Sequence, residues 1–167
     1  MIPAELFLIL PVLAVGLYFL WTADRRGTIA PPGPPENAIV VDGSNVMHWG
    51  SAPSALALSR VLRSLEERGY VPIVFFDANA GYVLGDRYHD EAMLGALIDT
   101  PQHHICVVSK GVIADVAILS FATDHNLRVV TNDQYRDWRV QFPIAARKGQ
   151  LLRGDWREGS VIWKGDL

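Results

Sequence analysis

The chain's 167 residues suffice for one domain with a hydrophobic core plus some extra length, and half of them are apolar. Its single cysteine, Cys106, excludes an internal disulfide and agrees with a reducing compartment. The five histidines are scattered, with no Cys/His set at zinc-ligand spacing. A net charge of −3 speaks against a uniformly basic, nucleic-acid-coating surface.

The first element is apolar. From Leu6 to Ala23 the run LFLILPVLAVGLYFLWTA holds no charged residue. As a helix these residues reach roughly 27 Å, close to the ~30 Å of a bilayer core. A buried soluble helix is the alternative, but DRRG and then TIAPPGPPENA follow at once. A cleaved signal peptide fits poorly, since a basic n-region and a small-x-small cleavage site are missing. Arg25 and Arg26 flank the far end, so the positive-inside rule predicts a single-pass membrane protein with its remaining chain in the cytoplasm. The expected organisation is a transmembrane anchor at 1–23, a semi-rigid Pro/Gly-rich linker at 24–37 and one domain at 38–167.

Within the domain, apolar runs alternate with amphipathic ones. AIVVD (38–42), VPIVFFD (71–77), HICVVS (104–109) and LRVVTND (127–133) read as buried strands. SALALSRVLRSLEERG (54–69), RYHDEAMLGALID (87–99), VIADVAILSFATDHN (112–126) and QYRDWRVQF (134–142) read as helices, and the tail QLLRGDWREGSVIWKG as two short strands around a turn. Alternation of this kind predicts an α/β domain with a parallel sheet and helices on both faces. Functional groups in such sheets gather beyond the carboxyl ends of the strands.

Carboxylates occupy those ends. Asp42, Asp77 and Asp133 end strands, Asp115 opens the helix after the third strand, and Asp137 lies four residues after Asp133, one helical turn on. Like charges that close repel, and a hard divalent cation with oxygen ligands, Mg²⁺ or Mn²⁺, resolves the conflict. Each acid also has an ordinary use: Asp115 complementing a helix dipole, Asp133 as an N-cap, Asp137 pairing with Arg136 or Arg139, Asp77 in a turn. All of these would have to coincide at one edge.

VVDGSNVMH (40–48), ADVAIL (114–119) and VVTNDQYRDW (129–138) together resemble the NYN/PIN-like nuclease superfamily, and most of all its Regnase-type branch of CCCH zinc-finger endoribonucleases. The resemblance spans roughly residues 38 to 153. It implies an α/β/α sandwich of PIN-like type and an Mg²⁺-dependent endoribonuclease that cuts single-stranded or loop RNA. Metal-site acids then fall on Asp42, Asp115, Asp133 and Asp137, with Asn45 as a polar neighbour that orients a carboxylate or water. A homodimer is common in that superfamily. Two departures stand out: Ala114 occupies a position where that branch tends to carry a second aspartate, and the zinc finger is absent.

Without Arg25, Arg26, Glu5 and Asp24, the chain carries 13 basic and 16 acidic residues. Assigning four acids to a cation turns that balance to about +1, and eight basic residues follow Leu127, as expected of a phosphate-tracking edge. Arg136, Arg139, Arg147 and Lys148 are the substrate-binding candidates among them, with Ser44 and Asn132; a turn hydroxyl and a helix cap are the ordinary roles of the last two. Trp138, Trp156 and Trp163 suit either base stacking or core packing. A haloacid-dehalogenase-type phosphatase needs a second aspartate where Ser44 stands. A non-catalytic RNA-binding or membrane-scaffolding module and a DNA-directed nuclease are the remaining alternatives.

Overall fold

The computed structural model describes residues 33–85 and 87–165. The expected anchor and most of the linker lie outside the described residues. Among the described residues, no helix is long and apolar enough to cross a membrane.

Strand β1 (Ala38–Asp42) is buried along its whole length, as its β-branched sequence demands of a central strand. A single helical turn, α1 (Gly43–Val46), follows directly, then α2 (Ala55–Glu66), β2 (Val71–Phe76), α3 (Ala80–Gly85), α4 (Glu91–Ile98) and β3 (Ile105–Val107). Helix α5 (Ala114–Asp124) leads to β4 (Val129–Val130), β5 (Leu151–Leu152) and a hairpin of β6 (Gly154–Arg157) and β7 (Ser160–Trp163). The five-stranded sheet runs β3-β2-β1-β4-β5 and is parallel throughout, with Val40 flanked by Ile73 and Val129.

Successive strand residues point to opposite faces, and each face has its own core. Ile39, Val41, Val74 and Phe76 meet Leu58, Leu62 and Leu65 of α2 and Leu94 and Ile98 of α4. Val40, Phe75 and Val129 meet Ile118, Leu119 and Ala122 of α5 with Phe142 and Ile144. Each fully buried Leu, Ile or Phe contributes about 1.5–3 kcal/mol relative to exposure. Connections from β1 to β3 thus cover one face and those from β3 to β5 the other. The strand order reverses between β1 and β4, which opens a crevice beyond their carboxyl ends.

Gly43 makes the first turn possible. A Cβ there would lie 2.7 Å from Phe76, 2.8 Å from Val74 and 2.9 Å from the Phe75 carbonyl, so only glycine lets α1 press against β2. Ser54 caps α2 by accepting the Ala57 N–H, and Asp90 caps α4 by accepting that of Met93.

Several sequence expectations are corrected. Residues 134–142 form no α-helix but one 3₁₀ turn, at Arg136–Trp138, and a second follows them at Pro143–Ala146. The side chain of Asp133 takes the Tyr135 N–H, Tyr135 turns left-handed, and the Arg139 guanidinium covers the Gln134 carbonyl, so local side-chain bonds displace helical ones. The helix expected at 87–99 starts only after Asp90, whose side chain caps it, and α3 is a helix the sequence reading did not include. The strands expected at 104–109 and 127–133 shorten to β3 and β4. The tail holds three strands rather than two: β5 completes the sheet, and β6 pairs with β7 across Glu158 and Gly159, both at positive φ. Trp156 and Trp163 pack against the core, with Trp163 edge-on to Trp49.

Candidate active site

Asp42 stands at the reversal of strand order and is 7% exposed. Oδ1 accepts the Asn45 N–H at 3.0 Å, which caps α1. Oδ2 accepts two hydroxyls, Thr131 Oγ1 at 3.0 Å and Tyr135 Oη at 2.9 Å. Burial pushes the carboxyl up to about 6 against these donors, and the nearby Asp115 charge adds to the rise. Burial, and next the Asp42 charge, raise the Tyr135 phenol far above its ordinary value, so it remains protonated and donates.

The loop after β4 closes around this group. Asp133 N–H donates to Thr131 Oγ1 at 3.0 Å, and Asp133 Oδ1 accepts the Tyr135 N–H at 2.7 Å. Tyr135 sits at φ 45° and ψ 42°, a left-handed conformation costing an L-residue about 1–2 kcal/mol. Burial of its ring and the two bonds at its N–H and Oη offset that cost.

Asp115, in the first turn of α5, accepts the Trp138 indole N–H at 3.1 Å. Burial raises its pKa, and the charge of Asp133 adds to the effect while Trp138 opposes it. Trp138 is thus a core residue and a carboxylate partner. Asp133 and Asp137 are exposed, and Asp137 makes no hydrogen bond or ion pair among the described residues, so the ordinary alternative of pairing with Arg136 or Arg139 does not form. Asn45, Asn132, Asp133, Gln134, Arg136 and Asp137 line an open cleft of about 530 Å³. Asp42 stands behind this wall, bonded to it through the backbone of Asn45.

Asn45 Oδ1 accepts the Trp49 indole N–H at 3.1 Å and the Asn132 N–H at 2.8 Å, tying the loop after β1 to the loop after β4. Asn132 does not cap a helix: its amide donates to the Gly154 carbonyl at 2.9 Å and accepts the Gly154 N–H at 3.3 Å, fastening the hairpin to the site. Ser44 Oγ accepts the Asp77 N–H at 3.0 Å, and Asp77 in turn accepts the Asn79 N–H at 2.7 Å; both serve the turn after β2. Arg136 lines the cleft with its Nε donating to Gln134 Oε1 at 3.0 Å. Arg147 and Lys148 are not gathered here. They precede β5, where Arg128 donates to the Gly149 carbonyl, and so lie at the amino edge of the sheet.

Sequence reasoning assigned no role to Thr131, Tyr135 or Trp49. The first two fall inside TNDQYRD, and a buried hydroxyl and an aromatic at fixed offsets from Asp133 were the available signal.

The ligand atoms fit a hard divalent ion by chemistry: all are oxygens, and burial with neighbouring charge raises the carboxyls of buried Asp42 and half-buried Asp115, a penalty a cation would relieve. Among the described residues, no group of three or more His, Cys, Asp or Glu is assembled into a ligand shell. An ion held here would keep several waters, as Mg²⁺ commonly does.

Two solved structures share the fold. One is Arabidopsis thaliana nuclear protein-only RNase P 2 (PRORP2), with a TM-score of 0.63 and 16% identity over 92% of this chain and 34% of that one. The other, of nuclear proteinaceous RNase P 2 (PRORP2) from A. thaliana, gives a TM-score of 0.58 and 17% identity over 76% and 29%. The chain therefore spans about a third of the length of these neighbours. No curated protein matches the sequence. The family model described as the Zc3h12a-like Ribonuclease NYN domain matches residues 35–164, with Asp42, Asp115 and the whole TNDQYRD loop inside it, and the chain belongs to that family.

Proposed function

We propose that this chain is a metal-dependent endoribonuclease that hydrolyses phosphodiester bonds in single-stranded or loop RNA at the cleft beyond β1 and β4. The observation that carries the reading is Asp42: a buried carboxylate held by three donors, in electrostatic contact with Asp115, and placed where the strand order reverses. Membership of a ribonuclease family supports the substrate class.

Asp42, Asp115 and Asp133 concentrate negative charge behind and along the cleft, and they are the residues that would hold Mg²⁺ or Mn²⁺, with Asp137 at the lip. Such an ion, when bound, polarises a phosphate and lowers the pKa of water. Asn45 fixes the loop that bears Asp133 and keeps its own Nδ2 for water or substrate, since its Oδ1 is already committed. Arg136, on the cleft wall, places a guanidinium where the phosphate of a bound strand would lie. Arg139 holds the shape of that wall through the Gln134 carbonyl. Hydrolysis adds water across one P–O bond, and an open cleft admits a chain without requiring a free end.

The proposal includes a membrane tether, supported by the uncharged run Leu6–Ala23 and by Arg25 and Arg26, which favour a cytoplasmic nuclease domain. Release of the protein from membranes by alkaline carbonate would count against it.

The test of the activity is incubation of the full-length chain with end-labelled single-stranded RNA, and with DNA of the same sequence, in Mg²⁺, Mn²⁺ or EDTA. Internal cuts in RNA that need the metal and disappear in Asp42→Asn and Asp133→Asn are expected. Binding without cutting would replace this reading with a non-catalytic RNA-binding module, and equal cutting of DNA would remove the RNA assignment.

A further inference from the structure

We infer that Thr131 and Tyr135 are positioning residues: their two hydroxyls occupy Oδ2 of Asp42 and leave Oδ1 as the single oxygen this carboxylate can offer to a divalent cation. The inference rests on the cleft being a cation-dependent nuclease site, and it adds how the central acid is presented there.

An ionised carboxylate has about four acceptor directions, two on each oxygen. Thr131 Oγ1 and Tyr135 Oη, at 3.0 and 2.9 Å, take both directions on Oδ2. The Asn45 N–H, at 3.0 Å, takes one of the two on Oδ1. One direction is left, so Asp42 cannot chelate through both oxygens. Nothing about packing alone calls for this arrangement. Thr131 is fully buried and Tyr135 is 2% exposed, so valine and phenylalanine would fill the same space without bringing polar atoms inside. The chain also adopts the left-handed conformation at Tyr135 that brings its ring back over Asp42, and Asp133 fixes that bend by accepting the Tyr135 N–H. Thr131 Oγ1 has a second link, accepting the Asp133 N–H, so one hydroxyl sets the relation between the buried and the exposed acid.

The experiment measures Mn²⁺ uptake by the full-length chain from loss of the free-ion electron paramagnetic resonance signal, alongside RNA cleavage, for wild type, Tyr135→Phe, Thr131→Val and Thr131→Ser. Near-ultraviolet circular dichroism reports folding. Tyr135→Phe and Thr131→Val are each expected to weaken Mn²⁺ binding about tenfold and to lower kcat by a similar factor, with KM for RNA unchanged. Thr131→Ser, which keeps the hydroxyl, is expected to retain the wild-type affinity. Unaltered Mn²⁺ affinity in folded Tyr135→Phe and Thr131→Val would overturn the inference while leaving the nuclease reading intact. Thr131→Ser as weak as Thr131→Val would overturn it too, and that pair decides the matter if Tyr135→Phe does not fold. A wild-type chain that takes up no Mn²⁺ would overturn the cation reading and this inference with it.

Discussion

At the carboxyl edge of the sheet, Asp115 stands within reach of the charges of both Asp42 and Asp133, whereas the amino edge carries Arg128, Arg147 and Lys148. Both edges are built by the same parallel strands, yet their energetics differ. At the carboxyl edge Asp42 and Thr131 are withdrawn from water and the asparagines partly so, and these groups have partners: Asp42 has three, Asn45 has two on one oxygen, and Asn132 holds both the N–H and the carbonyl of Gly154. At the amino edge Arg147 and Lys148 remain exposed, and Arg128 spans from the Gly149 carbonyl to the Tyr70 hydroxyl at 3.1 and 3.2 Å. The contrast separates an edge where Asp42, Asn45 and Asn132 are each fixed by several hydrogen bonds from one where Arg147 and Lys148 lie in solvent.

Replacing Asp42 should break the carboxyl edge most severely. Asp42→Asn is expected to cut RNA cleavage by about a thousandfold, or ~4 kcal/mol of transition-state stabilisation, in a multiple-turnover assay. The fold should survive, because an asparagine can accept the Asn45 N–H and donate its amide hydrogens to the hydroxyls of Thr131 and Tyr135. An unfolded Asp42→Asn protein would show that the edge depends on the charge itself.

The same residue sets a pH dependence. A carboxyl raised from 3.8 to about 6 binds more protons folded than unfolded between those values. Its favourable contribution is therefore complete below 3.8 and is lost as pH rises through about 6. Measured in EDTA, wild type relative to Asp42→Asn should lose about 3 kcal/mol across that window. A flat difference would mean that the three donors balance burial, and a difference that grows with pH would mean that they outweigh it.

Gly43→Ala probes how closely α1 approaches β2. The added methyl meets Phe76, Val74 and the Phe75 carbonyl, and a loss of about 1–3 kcal/mol in chemical denaturation is expected. The mildest substitutions sharpen the comparison of edges directly. Arg136→Gln should lower the slope of log RNA affinity against log salt by about 0.7, as for one lost contact with single-stranded phosphate, whereas Arg147→Gln and Lys148→Gln should leave it unchanged. A drop for all three would extend the RNA path across both edges.

By itself the sequence determined the alternation of strands and helices, the placing of Asp42, Asp115 and Asp133 at one edge, and the motifs that mark the family. These are local properties: a β-branched run, a 3.6-residue period and an N-cap are each written within a dozen residues. Only the tertiary structure decided that residues 134–142 abandon the helix, that the basic residues after Leu127 divide between two edges, and that Thr131 and Tyr135 hold Asp42. The last of these depends on partners 89 and 93 positions apart in the chain, brought together by the reversal of strand order between β1 and β4. There the hydroxyls offset the cost of burying a carboxylate, a pairing that no local pattern in the sequence displays.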